Sequence, residues 1–190
     1  MEKEVIIKRL FIVIIIFLVI VSVFYYIFNN INFKSKKSNA KVELISDGCD
    51  EIYVNDNFPM TDEVGKTFTS NNKESRVNAY CKFEIKSDKD TKYSLYLSDL
   101  DYENSIHSNY IKVYLTDELE NPVSGFDSLS VPTFYNLRSS KNNPTDRVLL
   151  EDKIKSNKSK KYILRVWVGD AYAVGTRVNN FSMKLHVEAN

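Results

Sequence analysis

Lys161-Tyr162-Ile163-Leu164-Arg165-Val166-Trp167-Val168 is the stretch on which the fold turns. In an extended chain Tyr162, Leu164, Val166 and Val168 fall on one side, with Ile163, Arg165 and Trp167 on the other. A period of two, carried by β-branched and aromatic residues, is the pattern of a strand, because successive side chains point to opposite faces. The alternation recurs in Cys81, Phe83 and Ile85, in Tyr93, Leu95 and Leu97, in Ile111, Val113 and Leu115, and in Phe181, Met183, Leu185 and Val187. Val42–Ile45 and Glu51–Val54 add earlier candidates, and Arg147–Leu150 a weaker one.

The segments between them carry turn chemistry. Ser87-Asp88-Lys89-Asp90 joins two strands as a hairpin would, and Pro122 in Glu120-Asn121-Pro122 cannot serve a central strand. Ser124 to Asp146 is a long irregular stretch containing Asn142-Asn143-Pro144. Seven or eight short strands at this spacing predict an all-β domain, an antiparallel β-sandwich of jelly-roll or Ig-like type, over residues 41–190. Pro59-Met60-Thr61-Asp62-Glu63-Val64-Gly65 is the helical signal there: a proline and acids at the start and a later glycine fit one or two turns.

The other end of the chain is different in kind. After a short tail, residues 1–9, Leu10 to Phe28 runs nineteen residues with only Ser22, Tyr25 and Tyr26 carrying polar atoms. As a helix it is about 28 Å long, near the thickness of a bilayer's hydrocarbon core. It is longer than the apolar core of a signal peptide and ends in Phe24-Tyr25-Tyr26-Ile27-Phe28 rather than small residues, so an uncleaved transmembrane anchor is expected. Residues 29–40 are polar and read as a linker. The flanks disagree on direction: Lys3, Lys8 and Arg9 stand on one side, and Lys34, Lys36, Lys37 and Lys41 on the other. Three points place the domain outside the cell membrane: the tail is short, long domains translocate largely regardless of charge, and the two cysteines are pairable.

Composition bounds the chemistry. The 190 residues are 43% hydrophobic, 13% aromatic and 27% charged, which describes a globular chain rather than a disordered one. The net charge is +1, and residues 1–41 carry seven Lys/Arg against Glu2 and Glu4, leaving −4 for the rest. A mildly acidic domain argues against a nucleic-acid partner.

Candidate sites are few. Cys49 and Cys81 are the only cysteines. In an exported domain they are expected to form one disulfide, and in a reducing compartment they would be two core thiols. His107 and His186 occur without an HExxH pattern, and no GxSxG context points to a Ser/His/Asp triad. Asp99-Leu100-Asp101-Tyr102-Glu103 and Asp117-Glu118-Leu119-Glu120 lack the glycine and spacing of a calcium loop. Lys153, Lys155, Lys158, Lys160 and Lys161 form a run that is either a charged hairpin turn blocking edge pairing or a contact for anionic wall polymers or headgroups. Arg165 and Trp167 share a face that is either a solvent-exposed binding patch or a surface covered by the Ser124–Asp146 excursion.

One resemblance adds to this. Asn57-Phe58-Pro59-Met60-Thr61-Asp62-Glu63-Val64-Gly65-Lys66, the strand end Phe83-Glu84-Ile85-Lys86, the stretch Lys161 to Asp170 and Phe181-Ser182-Met183-Lys184-Leu185 together resemble extracytoplasmic β-sandwich proteins of Gram-positive bacteria related to the TasA/camelysin biofilm-matrix proteins. The resemblance spans residues 42–188 and implies a sandwich outside the cell. The matrix proteins are released by a dedicated signal peptidase, whereas this anchor reads as retained, and no LPxTG tail is present. The expectation is a single-pass, membrane-anchored structural or adhesive protein of the cell surface, without catalytic activity, cofactor or metal. Its partners would be the bilayer, through the helix, and a protein partner or a second copy. An accessory subunit of a secretion, conjugation or sporulation assembly is the alternative.

Overall fold

The computed structural model describes residues 17–22, 40–70, 77–100 and 104–190. The chain divides into two compact units, Met1–Lys37 and Ser38–Asn190. In the first, residues 17–22 are helical, and the Ser22 hydroxyl donates to the Val19 carbonyl at 2.9 Å. The rest of the Leu10–Phe28 segment, the 1–9 tail and residues 29–39 of the linker lie outside the described residues. Among the described residues no helix is long and apolar enough to cross a membrane.

The second unit is built from eight strands: β1 (Val42–Ser46), β2 (Glu51–Asn55), β3 (Asn78–Ser87), β4 (Thr91–Asp99), β5 (Ile111–Asp117), β6 (Asp146–Ile154), β7 (Lys158–Val168) and β8 (Asn180–Ala189). They form two four-stranded sheets, ordered β1-β3-β7-β5 and β2-β8-β4-β6, with every strand pair antiparallel. Odd-numbered strands make one sheet and even-numbered strands the other. Each of the seven connections therefore changes sheet, and no two consecutive strands pair. Ser87–Asp90 is thus an arch between sheets, not a hairpin.

The alternating residues face each other across the sandwich. Phe83, Ile85, Leu115, Leu164 and Val166 from one sheet, with Tyr93, Leu95, Leu97, Phe181 and Met183 from the other, are all at most 4% exposed. Registers such as Cys81↔Leu164 and Leu97↔Leu185 keep these apolar positions side by side on the inner faces. A one-residue slip would turn each set toward the outside, so burial fixes the register. A bulge between Leu95 and Tyr96 shifts the β4–β6 register once.

Helix α1 (Asp62–Thr67) covers the outer side of β7. Thr61 caps it, its hydroxyl accepting from the Val64 N–H at 3.4 Å, while Asp62 and Glu63 sit in the first turn and Lys66 in the last. Gly65 is not the stop that the sequence suggested. It lies inside the helix, buried, at the contact with Trp167.

The 118–145 excursion runs along the edges of both sheets. Val113 N–H donates to the Pro132 carbonyl and Val123 N–H to the Leu115 carbonyl, extending the β5 edge. Val148 N–H donates to the Arg138 carbonyl and Ser140 N–H to the Asp146 carbonyl, extending the β6 edge. Backbone groups that would invite another chain are satisfied internally there. Asp62 secures the excursion to α1, accepting from the Val131 N–H at 2.8 Å and pairing with Lys112 at 3.1 Å.

Candidate functional site

Arg165 and Trp167 do not form an exposed patch: both are 0% exposed. The cover is α1 and its flanks rather than the 124–146 excursion. Trp167 Nε1 donates to the Met60 carbonyl at 3.2 Å, and Phe68 meets the indole edge-on with centroids 6.1 Å apart. Arg165 Nε donates to the Phe68 carbonyl at 2.8 Å, and its Nη2 pairs with Glu120 at 3.0 Å. The guanidinium carbon lies 5.1 Å from the centre of the Tyr80 ring, within cation–π reach. These residues hold α1 and the β5 turn against the sheet.

Cys49, in the β1–β2 connection, and Cys81, on β3, stand at disulfide-bonding distance, Cα–Cα 5.7 Å, both 3% exposed. The pair ties a sheet-to-sheet crossover to the centre of the first sheet.

The structure brings Ser98, Asp146 and His186 together across β4, β6 and β8. Ser98 Oγ donates to Asp146 Oδ1 at 2.7 Å and lies 3.2 Å from His186 Nδ1, while His186 Nε2 is 3.6 Å from Asp146 Oδ2. A hydrolytic triad needs the serine proton to go to the imidazole, with the carboxylate on the opposite ring nitrogen. Here the serine hydroxyl donates its hydrogen bond to the carboxylate instead. Tyr96 stacks on the His186 ring at 5.2 Å, so the group acts as a polar tie across three strands. His107 caps a short 3-10 turn, accepting from the Asn109 N–H at 3.3 Å.

The second acidic cluster is also spent internally. Asp117 Oδ1 accepts from the N–H groups of Leu119 and Asn121 at 2.9 Å, and Glu120 is the partner of Arg165. Hydrogen bonds led by the Asn121 side chain hold the Asp117 carboxyl below the usual carboxylate range. In the first cluster, residues 101–103 lie outside the described residues. Among the described residues no group of three His, Cys, Asp or Glu could hold a metal.

The lysine run meets a different fate. The β3–β4 and β6–β7 connections, Asp88–Asp90 and Lys155–Asn157, are three-residue arches that lie side by side at one end of the sandwich. Ser156 N–H donates to Asp90 Oδ1 at 2.6 Å, Ser156 Oγ to the Asp88 carbonyl at 2.8 Å, and Asn157 N–H to the Ser87 carbonyl at 2.9 Å. Asn157 adopts φ 55°, a left-handed conformation that asparagine tolerates, and Lys158 N–H closes the turn on the Lys155 carbonyl at 3.1 Å. The run is therefore no hairpin: its β7 part lies in a strand paired on both sides, whereas Lys153 lies on β6, the last strand of its sheet, where a charge opposes pairing with another chain.

These arches frame an open groove of about 670 Å³ lined by Lys92, Lys153, Lys155, Lys158 and Lys160, with Asp90 on its rim and buried Ile154 beneath. Lys92 stands directly opposite Lys153 in the β4–β6 register. Like charges at such positions repel. Lys160 pairs with Asp152 at 2.5 Å, whereas among the described residues Lys92, Lys153, Lys155 and Lys158 make no ion pair. The sequence showed the 153–161 run but not the part of Lys92, which only the stacking of the two arches brings in.

Behind the groove the polar character reaches into the core. Tyr93 and Tyr162 share a hydrogen bond of 2.6 Å between their hydroxyls, and Asp152 Oδ2 lies 3.5 Å from the Tyr162 hydroxyl. Burial pushes Tyr162 up to about 12, and pushes Tyr93 further in the same direction. Burial alone would raise Asp152, but hydrogen bonds from Lys160 and the Lys153 N–H outweigh it and hold the carboxyl below its usual value.

Compared with known proteins, this chain matches no family model, no curated protein and no solved structure.

Proposed function

We propose that this chain is a membrane-anchored structural or adhesive protein of the cell surface, which works by binding and not by catalysis. The observation that carries the reading is the helical run Phe17-Leu18-Val19-Ile20-Val21, whose five apolar side chains are 46–65% exposed, at the centre of a nineteen-residue apolar segment. Five consecutive bare apolar side chains on a helix call for an apolar solvent. The outward placement is supported by the Cys49–Cys81 pair, since disulfides persist in oxidising compartments. Of the two sandwich types expected, two four-stranded sheets agree with the strand count of a jelly roll. The resemblance to the TasA/camelysin proteins points the same way. The side chains best suited to chemistry, His186, Asp146, Arg165 and Glu120, are engaged in internal bonds.

The test has two parts. In cells, the chain should stay with membranes through an alkaline carbonate wash, and added protease should reach the sandwich without lysis. Release by the wash, or protection of the sandwich in intact cells, would reject the placement. Detergent-purified chain should then bind cell-wall material or itself, and a strictly inert monomer would reject the adhesive role.

A further inference from the structure

We propose that the lysine groove formed by the two arches is a docking site for anionic phospholipid headgroups, with Lys92, Lys153, Lys155 and Lys158 around the lipid phosphates. This rests on the anchored reading above and specifies what the sandwich touches.

The first argument is electrostatic. Four ammonium groups without ion pairs among the described residues surround one groove, and two of them face each other across a strand pair. A bound anion would relieve that repulsion. Residues 42–190 carry −4 overall, so the positive field is local to this end and not a property of the whole surface. Lysine is a compact point charge on a flexible stem, suited to phosphates presented at variable angles. Its aliphatic stem can lie on apolar surface while the ammonium reaches outward, which matches the layered polarity of a bilayer surface.

The second argument is where the chain enters the sandwich. Lys41 N–H donates to Asp88 Oδ1 at 2.8 Å, and Asp88 N–H returns a bond to the Lys41 carbonyl at 3.3 Å. Lys41, immediately before β1, is thus pinned to one of the arches that frame the groove. Thirteen residue steps from Phe28 to Lys41 span at most about 45 Å, so an anchored chain keeps this end within reach of the headgroups. Lys34, Lys36 and Lys37 lie on that path. Near an anionic bilayer each lysine strengthens association roughly five-fold. This favours headgroups over a soluble polymer as the occupant.

The experiment uses the full chain reconstituted in nanodiscs of phosphatidylcholine alone, or of phosphatidylcholine with about a third phosphatidylglycerol. Acylation rates of individual lysines by a water-soluble amine reagent are read by mass spectrometry. In the anionic discs Lys92, Lys153, Lys155 and Lys158 should react about three-fold more slowly or less, while Lys66 on α1 keeps its rate. The difference should vanish in about 0.5 M salt, where screening shortens the reach of the headgroup charge. Equal rates in both discs would overturn the proposal. Protection produced only by soluble polyglycerol phosphate added to neutral discs would also overturn it, in favour of a wall-type polymer. If the chain fails to insert, the anchored reading fails, and the same chain is then offered to preformed anionic vesicles. Protection of the four lysines there preserves the groove assignment, and its absence overturns that too.

Discussion

Trp167 fills the space where Gly65 has no side chain: a Cβ at position 65 would sit 2.6 Å from the indole Cδ2. The helix can lie this close to β7 only because that carbon is missing. The approach brings Met60 and Phe68 over the indole and Arg165, and so converts the outer face of the strand into a second small core.

Replacing Gly65 with Ala should therefore destabilise the sandwich by about 1–3 kcal/mol, the usual cost of overpacking. Helix propensity alone pulls the opposite way, favouring alanine by about 1 kcal/mol. Urea unfolding separates the two: a lower midpoint at unchanged slope is expected, and a more stable variant would show that the indole gives way freely.

At the neighbouring Arg165 the two halves of the ion pair are unequal, because the guanidinium is 0% exposed and the Glu120 side chain 55%. Glu120→Ala strands a buried charge, whereas Arg165→Met removes it and orphans the Phe68 carbonyl at a cost of about 1–3 kcal/mol. Glu120→Ala is expected to be the more damaging change in thermal denaturation. The reverse order would mean that Tyr80 and the Phe68 carbonyl carry the guanidinium without help.

Cys49 and Cys81 are 32 residues apart, and a bond between them removes about 3–4 kcal/mol of unfolded-state freedom in the chain-entropy model. The double Cys49→Ser, Cys81→Ser chain should lose stability on that scale and become indifferent to reductant. A parent chain with the same melting point with and without dithiothreitol would show that the thiols are not joined in solution.

Tyr93 and Tyr162 set an alkaline limit. Both folded pKa values are raised, so their stabilisation is fully present below the unfolded value of about 10 and declines as pH rises through the folded value of about 12 for Tyr162. Circular dichroism should show unfolding beginning between these limits. Tyrosinate absorbance near 295 nm should rise in two stages, with Tyr93 and Tyr162 contributing to the later one. Full ionisation before any loss of ellipticity would contradict the buried hydroxyl pair.

The five clear alternations, at 81–85, 93–97, 111–115, 162–168 and 181–187, were legible because each strand has one face in the core, and period two reports that directly. The acids of α1's first turn were legible for the same local reason, although Pro59, read as the helix start, precedes the Thr61 cap. What escaped was non-local. Whether Ser87–Asp90 closes a hairpin or an arch depends on the partners of β3 and β4, and both partners come from strands far along the chain. That Arg165 and Trp167 are covered by α1 rather than by the 124–146 excursion was hidden, because a polar residue in a strand signals an outer face and says nothing about which element is laid over it. Lys92 stands far from the lysine run in sequence, and only the β4–β6 pairing sets it opposite Lys153.

The alternation of strands between sheets also governs how the chain comes to be folded. β7 lies at the interior of one sheet and β8 at the interior of the other, yet both follow the remaining six in sequence. No hairpin can form early and wait, since no neighbouring strands pair. Most stabilising contacts are distant in sequence, which makes folding slow. A chain that lacks the last two strands can form the β1–β3 and β4–β6 pairs but has nothing to join β5 and β2 to their sheets. The sandwich is expected to close only when β7 and β8 arrive.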